Sequence, residues 1–186
     1  MQAQPAVVSA GNEDLTSMIT IRQIVARVEP IGEQICRDSG RVTKCDFKIQ
    51  VDTGTPDVLN AYQTLEKDGR PLVVFSIGFL KAAKNTDEVA FVLGHEMAHH
   101  IAGHIDQRRG SAGLGGLILG GLIAYSGGSA QEIDSAFDLG AAVGSRVYSK
   151  DHELQADEIG TLITHYAGYD PLRGSKFFTR IPDPGD

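Results

Sequence analysis

Apolar residues recur at helical spacing from Leu15 through Met18, Ile19, Ile24, Val25, Val28 and Ile31 to Ile35, which predicts a long first helix capped by Asp14 or Thr16. Pro30 falls inside that pattern and is expected to kink or split the helix, because it has no backbone N–H to donate. The period then shortens. Phe47, Ile49 and Val51 alternate with Lys48 and Gln50, the mark of a half-buried strand. Residues 58–64 and 71–77 read as two more strands, joined through Lys67, Asp68 and Gly69, where glycine offers positive φ for a turn. A sheet of about three strands cannot bury itself and must be covered by helices, so the expected class is α+β.

From Asn85 the helical period returns. Asn85 or Thr86 can cap, Asp87 and Glu88 fall in the first turn where the helix dipole favours anions, and Val89, Val92, Leu93, Met97 and Ile101 make an apolar face. Residues 110–131 then carry no charge. The strongly apolar part, Leu114 to Tyr125, is too short for a bilayer span of ~20 residues, and each glycine in it weakens a helix by up to ~1 kcal/mol. A loop-helix beside the 85–101 helix is the expectation, with surface contact to a membrane left open. From Glu132 to about Tyr166 the composition is helical, with interruptions expected at Gly140, Gly144 and Ser149. Gly168 to Pro171 should stop that run, and Leu172 to Arg180 should form one more short helix. The organisation expected is a flexible segment over 1–13, one domain over 14–180 and a tail over 181–186.

Composition narrows the class. A chain of 186 residues, 41% hydrophobic, holds enough apolar material for one core and not comfortably for two. Lys+Arg 17 against Asp+Glu 24 leaves a net charge of -7, the wrong sign for gripping a phosphate backbone, so nucleic acid is not an expected partner. Met1 to Ala6 show no basic stretch followed by an apolar run, so no signal peptide is expected within the sequence. Cys36 and Cys45 flank a polar stretch that can turn. In an oxidising compartment they are expected to pair, contributing ~2–3 kcal/mol; in a reducing one they would be free thiols.

The 85–101 helix carries candidate chemistry, His95-Glu96-Met97-Ala98-His99. Histidines at i and i+4 project from one helix face about one turn apart, so two imidazole nitrogens can reach one metal, and zinc is the natural occupant. Glu96 lies ~100° around the helix from His95, close enough to serve as a general base on a water without ligating the metal. His104 would be ~180° from His95 on a regular helix and cannot join the set unless the helix breaks. A metzincin would need Gly at 102 and His at 105, where this chain has Ala102 and Ile105. A third ligand must therefore come from elsewhere. Glu153 and Asp157 share a face at i and i+4, so one can bind metal while the other hydrogen-bonds a ligand histidine; Asp151 and Glu158 are rival carboxylates, and a solvated acidic face is the alternative.

Four stretches resemble the forty-eighth family of metallopeptidases, gluzincins that include CAAX prenyl endopeptidases, HtpX heat-shock proteases, mitochondrial Oma-type proteases and small periplasmic quality-control proteases. They are Asn60-Ala61-Tyr62; Asp87 to His100 with His104; Tyr148 to Gly160 with its Glu-Leu-Gln-Ala-Asp core; and Ala167 to Pro171, together spread over about residues 15–180. The resemblance implies a zincin-like fold, one Zn2+ per chain, and an endopeptidase acting on unfolded or misassembled polypeptides in the periplasm or cell envelope. It implies Glu153 as third ligand, Asp157 bonded to a ligand histidine, and Asn60, Ala61 and Tyr62 on an edge strand where an extended substrate pairs. Lys150 stands where family members carry Arg, which removes a bidentate contact. Family members also carry a His-Pro segment, past the last residue here, that helps stabilise the transition state. The rival expectations are a zinc-bearing chaperone-like module for envelope proteins, which would have no use for Glu96, and a membrane-inserting module using residues 112–125. The oligomeric state is not legible.

Overall fold

The computed structural model describes residues 12–54, 56–107, 117, 127–135 and 149–180. Its elements are α1 (Asn12–Ser39), β1 (Lys48–Asp52), β2 (Ala61–Leu65), β3 (Pro71–Ser76), α2 (Ile77–Ala82), α3 (Thr86–Ile101), α4 (Lys150–Tyr166), α5 (Pro171–Gly174) and a 3-10 helix (Ser175–Arg180). The architecture is α+β, as the pattern predicts. The uncharged 110–131 stretch and the expected interruptions at Gly140 and Gly144 lie almost wholly outside the described residues. Among the described residues no helix is long and apolar enough to cross a membrane.

Ile21, Ile24 and Val28 of α1 are buried in the core at the spacing the sequence shows. The expected split at Pro30 does not occur: the helix runs through it to Ser39. The carbonyl deprived of a partner is that of Ala26, and Ala26 and Pro30 both lie on the exposed face, where solvent can satisfy the acceptor while the buried stripe continues opposite.

The sheet has the order β1-β3-β2, with β1 parallel and β2 antiparallel to β3. Central β3 buries Val73, Val74 and Phe75, as its continuous apolar run requires. The turn expected at Lys67 to Gly69 is present, with Gly69 at φ +84° and its N–H donating to the Glu66 carbonyl at 2.9 Å. Two strand boundaries differ from expectation. β2 starts at Ala61, with Asn60 just before it pairing through its carbonyl to Ser76 N–H at 2.9 Å. β3 ends at Ser76 because the Ser76 hydroxyl accepts from Phe79 N–H at 3.1 Å and so caps α2, which the hydrophobic pattern alone did not reveal.

α3 is the centre of the fold. Asn85 caps it through Glu88 N–H at 3.1 Å, and nearly every side chain on it is buried, because α1, α4, α5 and strands β2 and β3 all pack against it. Its contact with α4 is made backbone to backbone. A Cβ added to Gly160 would lie 2.9 Å from His95 N and 3.0 Å from His95 Cα, and one added to Gly94 would lie 3.0 Å from the Gly160 carbonyl oxygen. At the start of α3, Arg173 contacts Asp87 at 3.1 Å, and Arg180 donates twice to Glu88 at 2.8 and 2.6 Å, fastening the C-terminal helices onto it. Burial pushes the Glu88 carboxyl up, but Arg180 and the Lys84 amide outweigh it and hold the group below its ordinary 4.5.

At the far end of α3, His100 donates through Nε2 to the Lys44 carbonyl at 2.6 Å and meets the edge of Phe47 at 5.4 Å. Burial holds this histidine below its usual pKa. Lys44 precedes Cys45, which is disulfide-bonded to Cys36 with Cα atoms 5.6 Å apart, so the pairing expected of an oxidised chain is present.

Candidate metal centre

Two helices meet at this site. α3 contributes His95 and His99, one turn apart and 5% and 2% exposed. α4 contributes Glu153 from its first turn, beside the cap made where the Ser149 hydroxyl accepts from His152 N–H at 3.2 Å. Nε2 of His95 and Nε2 of His99 lie 3.0 Å apart, and the Glu153 oxygens lie 3.3 Å from the first and 3.7 Å from the second. These three side chains are the set of facing donors found among the described residues.

The spacing can be compared with what a metal requires. Tetrahedral zinc with bonds near 2.0–2.2 Å places its ligands ~3.4 Å from one another, and the observed separations straddle that value. Two imidazoles and one carboxylate are also the donor types zinc prefers, so the residues fit the ion the sequence pattern implies.

Asp157, the partner of Glu153 in the i and i+4 pair, comes to the other nitrogen of His95, whose Nδ1 donates to its Oδ1 at 2.9 Å. That is the supporting contact anticipated for the i and i+4 pair. Asp151 and Glu158 are exposed and stay out of the cluster. Glu96 is half-buried on α3 next to His95, and its charge acts on that ring. Ala61 and Tyr62 begin β2, an edge of the sheet that packs on α3, and Asn60, expected on the same strand, lies just before it; Tyr62 is 46% exposed.

His104 departs from the regular-helix expectation. α3 ends at Ile101, Gly103 takes φ +75°, and residues 104–107 start a new helical turn that returns His104 to the His99 side. His104 is no member of the ligand set, but its Nδ1 lies 2.9 Å from Nδ1 of His99, and its own Nε2 lies 2.9 Å from Gln155 Oε1. Burial lowers its pKa. Phe178, which the sequence does not single out, places its ring 5.2 Å from that of His95 and 6.0 Å from Phe91 while 38% exposed. An aromatic residue near the end of a short helix gives no sequence signal of that kind.

Residues 23–183 match Peptidase family M48. The chain belongs to this family. No curated protein matches it. M48 membership makes the chain a zinc-dependent metallopeptidase in general terms, a hydrolase whose substrates are polypeptides.

Charge at the M48 site sets a pH dependence. Burial is the largest influence on His95 and opposes its protonation, but the hydrogen bonds to Asp157 and Glu153 and the charge of Glu96 outweigh it, pushing the pKa up to about 10. Below about 10 the ring therefore keeps a proton that an incoming cation must displace. Metal affinity is expected to rise with pH across the neutral range, with a proton released on uptake. Calorimetric titration in two buffers of different ionisation heat counts that proton; a count of zero at pH 7 would contradict the expectation.

Proposed function

We propose that the chain is a gluzincin endopeptidase that cuts unfolded or misassembled polypeptides, with His95, His99 and Glu153 holding one Zn2+ and Glu96 as general base. The observation that carries this reading is the convergence of two Nε2 atoms and one carboxylate, borne on two helices by residues far apart in sequence, on separations suited to one ion. Zinc, when bound, supplies a Lewis acid that polarises the scissile carbonyl and makes water acidic. Glu96 accepts the proton of the attacking water and passes it to the leaving amine. Asp157 holds His95 with its Nε2 directed at the metal.

Edge strand β2 supports the choice of substrate. A strand whose outer side pairs with no other strand among the described residues, packed on the helix that bears His95 and His99, can add a further extended segment by backbone hydrogen bonds, with Ala61 and Tyr62 at the start of that track. Only a chain locally free of its own secondary structure can be presented in that way, which favours unfolded protein over a folded one. The disulfide supports an oxidising compartment, and with it the periplasm or envelope.

The test is cleavage of casein by the zinc-loaded chain, before and after treatment with a chelator and after zinc is restored. Cleavage that disappears and returns with zinc is expected. Cleavage indifferent to the chelator would sink the metal-dependent reading.

A further inference from the structure

The two histidines of the centre are not supported alike. Nδ1 of His95 meets a carboxylate, that of Asp157, whereas Nδ1 of His99 meets another imidazole, that of His104, at 2.9 Å. His99 is 2% exposed and His104 is 0% exposed, so solvent does not compete for this contact.

Proton positions along this contact follow from elementary valence. Nε2 of His99 faces Nε2 of His95 and the Glu153 carboxylate, and to bind a cation it must offer its lone pair. The proton of His99 then sits on Nδ1. One proton only can lie between two ring nitrogens 2.9 Å apart, so Nδ1 of His104 presents a lone pair and its proton sits on Nε2. Nε2 of His104 lies 2.9 Å from Gln155 Oε1, which accepts it. Gln155 thus fixes the direction of the donor series from the α4 side.

Local backbone and packing hold the acceptor in place. Gly103, at φ +75°, provides the turn that brings His104 back, a conformation that costs a residue with a Cβ more than glycine. The His152 ring stacks on His104 with centroids 4.3 Å apart and planes 24° from parallel, and Nε2 of His152 contacts Gln107 Oε1 at 2.7 Å, within the same turn as His104. The series therefore ties the second helical turn, residues 104–107, to α4 across the back of His99.

We propose that His104 is the positioning residue of His99: its Nδ1 accepts from Nδ1 of His99 and so presents Nε2 of His99 to the metal, with Gln155 orienting His104. This rests on the metal-centre reading above. The consequence is an uneven electrostatic support, one ligand histidine backed by an anion and the other by a neutral ring. A second carboxylate at position 104 would have added a buried negative charge to a site that already gathers Glu153, Asp157 and Glu96.

The test compares His104→Phe, a flat ring without an acceptor, with His104→Asn, whose Oδ1 can take the place of Nδ1. Zinc dissociation constants from chelator competition, and the visible absorption bands of the cobalt-loaded protein, are read against wild type. His104→Phe is expected to lose 10- to 100-fold in zinc affinity with displaced cobalt bands, whereas His104→Asn stays within roughly threefold with bands like wild type. Equal losses in both variants would reduce His104 to a packing role and overturn the proposal, as would wild-type affinity in His104→Phe. Should the Phe variant not fold, Gln155→Met decides: a weaker zinc affinity is expected, and an unchanged one overturns the series. Failure of wild type itself to bind zinc stoichiometrically would instead remove the centre and this inference together.

Discussion

Glu96→Gln is expected to take up zinc to the same stoichiometry as wild type and to lose roughly 10²–10⁴-fold in kcat/KM on casein. The substitution preserves length, shape and one carbonyl oxygen, so the half-buried position on α3 has no reason to repack. What it removes is the ability to accept a proton at the required moment. It also removes one negative charge that acts on the His95 proton and on an incoming cation in opposite senses, so the comparison must be made at matched zinc content. Because Glu96 lies outside the three facing donors, loss of rate without loss of metal is the signature that separates a base from a ligand. His95→Ala or Glu153→Ala should show the opposite signature, with metal lost first. A Glu96→Gln protein that cuts casein at the wild-type rate would refute the assignment.

The second large effect is expected at a position with no functional group. Gly160→Ala places a methyl 2.9 Å from His95 N, 3.0 Å from His95 Cα and 3.2 Å from Gly94 C, and all three atoms are backbone that cannot rotate away. Carbon atoms prefer ~3.5–4.0 Å, so α3 and α4 must part by about 0.5–1 Å. Alanine favours a helix over glycine by ~1 kcal/mol, while overpacking a contact of this kind costs ~1–3 kcal/mol, so the net change in stability of the metal-free chain should be small to moderate. Zinc binding should suffer far more. His95 and His99 ride on one helix and Glu153 on the other, and their separations of 3.3 and 3.7 Å open directly with the interhelical gap. We expect at least a ~10-fold loss of zinc affinity, and a smaller rise in melting temperature on adding zinc than wild type shows. If Gly160→Ala gained as much thermal stability from zinc as wild type, the close crossing would not be what sets the ligand distances.

That crossing also explains what the sequence could and could not convey. The placement of His95, Glu96 and His99 on one helix was readable because their relation is internal to a regular element, whose start is marked by Asn85, Asp87 and Glu88. The choice among Asp151, Glu153, Asp157 and Glu158 was not readable from spacing, because it depends on how α4 is rotated against α3, and the Gly94–Gly160 contact fixes that rotation. The regular-helix angle to His104 does not apply for a related reason: Gly103 ends the helix along which it runs, although His104 stays outside the donor set as that angle implies. Gln155 carries no distinctive sequence pattern, being a neutral amide among carboxylates. In the sheet, alternation located β1, and an apolar run located β3, but the Ser76 cap that turns the chain from strand to helix acts through one side-chain bond and overrode the apolar continuity at Ile77. Pro30 failed to split α1 since its missing donor falls on a wet face, a fact about burial and not about proline.

The Cys36–Cys45 bond joins residues only nine apart, yet its reach extends to the neighbour of His99. Cys45 carries the Lys44 carbonyl with it, that carbonyl receives His100, and His100 follows His99 in the chain. Two sulfur atoms and the backbone of His99 are thereby mechanically in series. Reduction would leave His95, His99 and Glu153 in place in the covalent sense while freeing the segment that carries the Lys44 carbonyl behind the last turn of α3.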